Sequence, residues 1–223
     1  MSTQTVVYLH GFASSPQGTK ARYLQAKLGA LPGVAFHVPD FNPTPRDFEY
    51  MTTTGLIDRL RQYVLDHGWQ RLLLIGSSYG GLIALHYAQR FGGVERMLLL
   101  APGLAWLSGG LSAEALAEWE RAGSAPIPHP AFGREVPVRY DLQVDGRRYL
   151  DRIAPPTPLL IIHGQQDETV PVEHSREYAG HYPDRVQLIE VQAGHDLSAH
   201  LELIWQHTQG FLLGGSEGPA QGR

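Results

Sequence analysis

The chain has 223 residues, 43% of them hydrophobic and 18% charged, which fits one domain large enough to bury a two-sided sheet. A formal net charge of -4, with no basic cluster, argues against nucleic acid as a partner. The lack of cysteine excludes disulfides and a thiol nucleophile. No apolar run reaches membrane-spanning length and the start carries no signal-peptide pattern, so a cytoplasmic protein is expected.

Strand-like apolar runs alternate with amphipathic ones, the pattern of a mostly parallel, doubly wound α/β sheet with helices on both faces. The reading places strands near residues 5–9, 34–38, 71–76, 95–101, 158–163 and 186–191, and helices near 16–30, 50–67, 79–91, 172–181 and 197–212. In chain order, Val6-Val7-Tyr8-Leu9 is a short strand that runs into His10-Gly11-Phe12. Gly11 would let this loop approach another segment closely, and the Phe12 ring could form an apolar wall. A plain turn is the alternative. Ser15 and Pro16 have the residue types of an N-cap and first helical position.

The most informative segment follows. Leu72-Leu73-Leu74-Ile75 leads into Gly76-Ser77-Ser78-Tyr79-Gly80, and an amphipathic run begins at once. Strand, tight turn and helix in that order form the setting of a nucleophile elbow, in which the serine sits on a strained turn above the sheet. The Gly-x-Ser-x-Gly frame selects Ser78 over Ser77, and Gly76 and Gly80 leave room where the two backbones crowd. A glycine-rich turn could instead cradle a phosphate, but no Gly-x-Gly-x-x-Gly or Gly-Lys-Ser/Thr pattern is present.

Between Pro102 and Pro158 the spacing exceeds a plain crossover. The segment holds Trp106 and Leu107, a helical pattern over 112–121 that contains Trp119, a proline-rich stretch and a strand-like run over 136–144. An insertion of about 103–152 is therefore expected. Trp106, Leu107 and Trp119 are candidates for the lining of an apolar acyl site, or they pack the insertion onto the body, and Phe12 and Tyr79 are further candidates for substrate contacts.

A serine hydroxyl needs an adjacent base, and the base needs a third group to orient it. In elbow hydrolases these follow in the order serine, acid, histidine. Pro158-Leu159-Leu160-Ile161-Ile162 is a buried strand that runs through His163-Gly164-Gln165-Gln166 to Asp167. Val186–Val191 is another strand, followed by Gln192-Ala193-Gly194-His195. Ser78, Asp167 and His195 thus each stand at or just beyond a strand's carboxyl end, in the required order, and are the candidate catalytic residues. Glu168 is the rival acid. Asp196 suits a cap on the last helix. A metal held by His163 and Asp167 is disfavoured, because a strand and its loop do not present both side chains as a chelating pair. An oxyanion needs two preorganised donors, and the backbone N–H groups of Phe12 and Tyr79 are the candidates.

Residues 4–213 resemble a compact α/β-hydrolase. The segments Tyr8-Leu9-His10-Gly11-Phe12-Ala13-Ser14-Ser15-Pro16 and Gly76-Ser77-Ser78-Tyr79-Gly80-Gly81 are similar to those of the small bacterial YqiA-like esterases. The segment His163-Gly164-Gln165-Gln166-Asp167-Glu168-Thr169-Val170-Pro171 matches the superfamily's acid loop. The resemblance implies one domain over 1–213 with a small lid-like insertion, and a sheet of about six strands. It implies a carboxylic ester hydrolase with no cofactor and no metal, acting on esters or thioesters of small soluble substrates through an acyl-enzyme. It favours Asp167 over Glu168. Carbon–carbon bond hydrolysis, perhydrolysis and a non-catalytic ligand-binding role on the same fold remain alternatives. Residues 214–223, rich in glycine, are expected to be disordered.

Overall fold

The computed structural model describes residues 3–104, 111–150 and 152–214. Six strands form one parallel sheet: β1 (Gln4–Leu9), β2 (Val34–His37), β3 (Leu72–Ser77), β4 (Val94–Leu100), β7 (Leu159–Gly164) and β8 (Val186–Val191). Their spatial order is β2-β1-β3-β4-β7-β8. The chain therefore moves outward from β1 to β2, then returns past β1 to lay β3 on its other side. The carboxyl ends of β1 and β3, with Leu9 beside Gly76, lie at the topological switch point where such sheets hold ligands.

The central strands show why the sheet is covered on both faces. Every residue of β3 and of β7 is buried. Alternate residues serve two cores. Val7, Leu74, Leu99 and Ile161 pack with α3 (Thr53–Asp66) and α4 (Tyr79–Phe91) on one face. Val6, Leu73, Leu98 and Leu160 pack with α1 (Thr19–Leu28) and α8 (Leu201–His207) on the other. Helix α7 (Glu173–His181) joins β7 to β8.

The helices differ from expectation in three places, and the last, expected over 197–212, divides into a 3₁₀ turn (Ser198–His200), α8 and a π turn (Thr208–Leu212). Helix α1 starts at Thr19, after Gly18, because the Ser15 hydroxyl is engaged locally with the Gln17 N–H. A short helix α2 (Pro45–Glu49) precedes α3, with a reciprocal capping box between Thr44 and Asp47.

The segment after β4 carries α5 (Ala113–Ala122), an antiparallel hairpin of β5 (Ser124–His129) and β6 (Arg134–Arg139), and α6 (Asp141–Gly146). The strand-like run over 136–144 is thus split. Val136 and Val138 are buried in β6, whereas Val144 is exposed on a helix. Trp119 is buried and donates from Nε1 to the Val138 carbonyl at 2.8 Å, tying α5 to the hairpin. Asp145 ties α6 to the body, accepting from the Thr54 N–H at 2.7 Å and its hydroxyl at 2.6 Å. Among the described residues no helix is long and apolar enough to cross a membrane.

Candidate active site

Ser78 occupies the turn between β3 and α4 with φ 53° and ψ -120°, a conformation that costs a non-glycine residue about 1–3 kcal/mol. Three backbone bonds hold it there. Its N–H donates to the Leu100 carbonyl at 2.8 Å, and its carbonyl accepts from Gly81 at 2.9 Å and Gly103 at 3.0 Å. The turn closes only because its flanks lack side chains. A Cβ on Gly76 would lie 2.7 Å from the Gly80 carbonyl oxygen, and one on Gly80 would overlap the Leu9 carbonyl.

The Ser78 Oγ lies 2.9 Å from His195 Nε2, and His195 Nδ1 lies 2.7 Å from Asp167 Oδ2. The carboxylate can only accept, so Nδ1 carries the imidazole proton and Nε2 is left to accept from the serine hydroxyl. Asp167 has a fully buried side chain. Its Oδ1 accepts from the Thr169 N–H at 2.9 Å and the Val170 N–H at 2.8 Å. Burial alone would raise its carboxyl, but hydrogen bonds from His163, His195 and Val170 outweigh this and hold it well below the ordinary carboxylate range. Glu168 is exposed and takes no part.

His163 is the residue that sequence reasoning missed, having weighed it only as a metal ligand. Its Nε2 lies 3.1 Å from Asp167 Oδ2 and 2.9 Å from the Val170 carbonyl, while Nδ1 lies 2.7 Å from Ser175 Oγ. Two acceptors at Nε2 place a proton there. Asp167 is therefore braced from behind by a buried imidazole. The only sequence signal for this was the position of His163, four residues before the acid at the end of β7.

The loop after β1 comes against the elbow. A Cβ on Gly11 would lie 3.2 Å from Ser78 Cβ and 3.8 Å from its Oγ. The buried His10 imidazole, 3.0 Å from the Gly11 carbonyl through Nδ1, fixes this loop. Phe12 follows, and its ring stands edge-on to that of Tyr79 at 6.3 Å. Tyr79 opens α4, so its N–H lies at the positive end of that helix. Its side chain is buried and lies within 2.8 Å of Thr53 Oγ1, so it is the Tyr79 backbone that borders the serine.

Gly11, Phe12, Ser78, His195 and Asp196 line one open cleft. Lys20 reaches the Asp196 carboxylate at 3.3 Å. Asp196 also accepts from Ser198, and that bond is the main cause of its lowered carboxyl, but it does not cap the last helix, whose N-cap position is His200. Trp106 and Leu107 lie outside the described residues.

A parallel sheet wound on both faces, with a serine on the turn after a central strand, is the architecture of the α/β hydrolases. Residues 5–209 match the uncharacterised protein family UPF0227, and the chain belongs to that family, the YqiA-like group. Among solved structures, a protein from Agrobacterium vitis S4 is 23% identical with a TM-score of 0.78, covering 94% of this chain and 88% of that one. Alpha/beta hydrolase domain-containing protein 10 from mouse is 23% identical with a TM-score of 0.72, covering 91% and 87%. Est1E from Butyrivibrio proteoclasticus with ferulic acid bound is 20% identical with a TM-score of 0.74, covering 95% and 89%. At these identities the likeness is one of fold.

Proposed function

We infer that this protein is a serine hydrolase that cleaves carboxylic esters or thioesters of small soluble substrates through an acyl-enzyme. The observation that carries the reading is the unbroken Ser78–His195–Asp167 hydrogen-bond chain, at 2.9 and 2.7 Å. His195 takes the Ser78 proton as Oγ attacks the acyl carbon. The Phe12 and Tyr79 amides donate to the oxyanion, aided by the dipole of α4. Asp167 keeps the imidazole in the useful tautomer and stabilises its charged form. His195 then protonates the leaving alcohol or thiol, and later deprotonates the water that releases the acid. No metal or redox group enters these steps. The insertion over about 103–152 acts as a lid that limits water and shapes the substrate pocket, on a single domain that works in the cytoplasm.

The test is intact-mass spectrometry after fluorophosphonate treatment of wild type and Ser78→Ala, followed by ester, thioester and diketone panels. One adduct on wild type that vanishes in the variant supports the reading. No adduct on folded wild type would overturn it and favour a binding role.

A further inference from the structure

Lys20 joins two sides of the catalytic cleft. It is the second residue of α1, the helix that follows the Gly11-Phe12 loop, and it lines the same cleft as Ser78 and His195. Its side chain is only 14% exposed, whereas that of its partner Asp196 is 78% exposed. The ammonium donates to the Asp196 backbone carbonyl and reaches the carboxylate at 3.3 Å. Among the described residues, the first of these is the one hydrogen bond made to the backbone of His195 or Asp196. The sheet ladder ends at Val191, opposite Gly164, and the Gln166 N–H holds the Ala193 carbonyl at 2.9 Å. Beyond that point the loop that carries His195 leans on Lys20.

The peptide it holds is a strained one. Leu197, the next residue, is buried with φ 55° and ψ 8°, left-handed values that a leucine adopts only at a cost. Local preference also argues against a lysine here. A cation at the second position of a helix faces the positive end of its dipole, and α1 has no side-chain cap and no acidic residue in its first turn. The chain's 18 basic residues include only two lysines, Lys20 and Lys27, and both stand on one stripe of α1 with Tyr23. Tyr23 and Lys27 meet Glu202 at 2.8 and 3.6 Å, on the exposed surface, where such pairs stabilise little. Lys20 is the buried end of that stripe. A compact ammonium with three donors suits a carbonyl and a carboxylate side by side.

We propose that Lys20 is a positioning residue, whose ammonium holds the Asp196–Leu197 peptide so that the His195 imidazole stays in line with Ser78 and Asp167. The assignment rests on the serine-hydrolase reading above. Without the clamp the histidine loop drifts, and a displacement of about 1 Å at a catalytic group costs on the order of 10²-fold in rate. Because Lys20 acts through His195 and not on the substrate, the loss falls on kcat and leaves KM in place.

The experiment measures kcat and KM for p-nitrophenyl acetate, the rate of fluorophosphonate labelling and Tm in wild type, Lys20→Met, Lys20→Gln and Lys20→Arg. The methionine variant keeps the stem and removes every donor. It should lose about 10–100-fold in kcat and in labelling rate, well below its Tm, with KM within about threefold of wild type. Lys20→Arg keeps a charged donor on a planar head and should recover most of the loss, whereas the shorter, uncharged glutamine should recover little. A folded Lys20→Met enzyme with wild-type kcat, a loss carried by KM, or an arginine variant no better than methionine overturns the assignment. If Lys20→Met does not fold, the other two decide, and wild-type kcat in both overturns it. Labelling of the wild type separates the two levels: a labelled wild type with unaffected variants defeats only the role of Lys20, and an unlabelled one defeats the hydrolase reading and that role with it.

Discussion

Replacing Asp167 by asparagine tests the site most directly, because the surroundings dictate how the amide must sit. Oδ1 accepts two backbone N–H groups, from Thr169 and Val170, so the amide oxygen has to take that place. The NH₂ then replaces Oδ2 and faces His195 Nδ1 and His163 Nε2, which are both donors in the wild type. His195 must move its proton to Nε2, where it points at Ser78 and cannot accept. On the precedent of serine proteases, kcat/KM should fall about 10⁴-fold, or about 5.4 kcal/mol at 1.36 kcal/mol per decade. Two charge-assisted bonds are lost as well, each worth about 1.5–3 kcal/mol. A loss of about 3 kcal/mol corresponds to a fall in Tm of roughly 6–12 °C for a chain of this size. The pH dependence has a definite sign. The folded carboxyl is depressed, so its contribution is complete above the unfolded value of about 3.9 and drains away as pH falls towards the folded one. The variant has no such group, and the gap between the two melting temperatures should narrow only below about pH 4. Ester kinetics and melting curves across pH check both effects. A folded Asp167→Asn enzyme within tenfold of wild type would refute the argument.

Ser78→Gly should abolish ester turnover while raising stability by about 1 kcal/mol or more, because glycine adopts φ 53° without strain; an unchanged or lower Tm would contradict this. Gly80→Ala should cost about 2 kcal/mol or more, since its Cβ would overlap the Leu9 carbonyl and lie 2.7 Å from that of His10, and denaturant unfolding reads it. Trp119→Phe keeps the ring but strands the Val138 carbonyl, and should lower stability by about 1–3 kcal/mol by the same measurement.

The sheet was legible because its strands declare themselves. Runs such as Leu72–Ile75 and Leu159–Ile162 are apolar at every position, as strands covered on both faces must be, and all six expected strands are present within a residue or so. What escaped has local causes. Helix α2 spans five residues and buries only Phe48, too short to set up a 3.6-residue period. Ser15 and Pro16 have the right identities for a helix start, but the Ser15 hydroxyl is used in its own turn. Val144 continued the apolar content of β6 without its alternation, and the chain had already turned into α6.

At the site, spacing and residue type singled out Ser78 and His195, the family resemblance chose Asp167 over Glu168, and the fold brings the three into one hydrogen-bonded chain. The reason is geometric. Parallel strands deliver all their carboxyl ends to one edge, so polar residues placed after β3, β7 and β8 meet there although 117 positions separate Ser78 from His195. Burial and support behind that edge were not legible. Nothing in the local pattern says that His163 turns inward, or that its Nε2 shares Asp167 Oδ2 with His195. The consequence is physical. A fully buried carboxylate with a single imidazole partner would be costly to keep charged. With His163 and two backbone amides as further donors it stays ionised and fixed, so each of its oxygens has one role. His163→Phe should therefore raise the Asp167 carboxyl towards its ordinary range, lowering stability near neutral pH and making the fall in Tm below about pH 4 shallower than in wild type. An unchanged fall in a folded variant would mean that the backbone amides and His195 alone hold the charge.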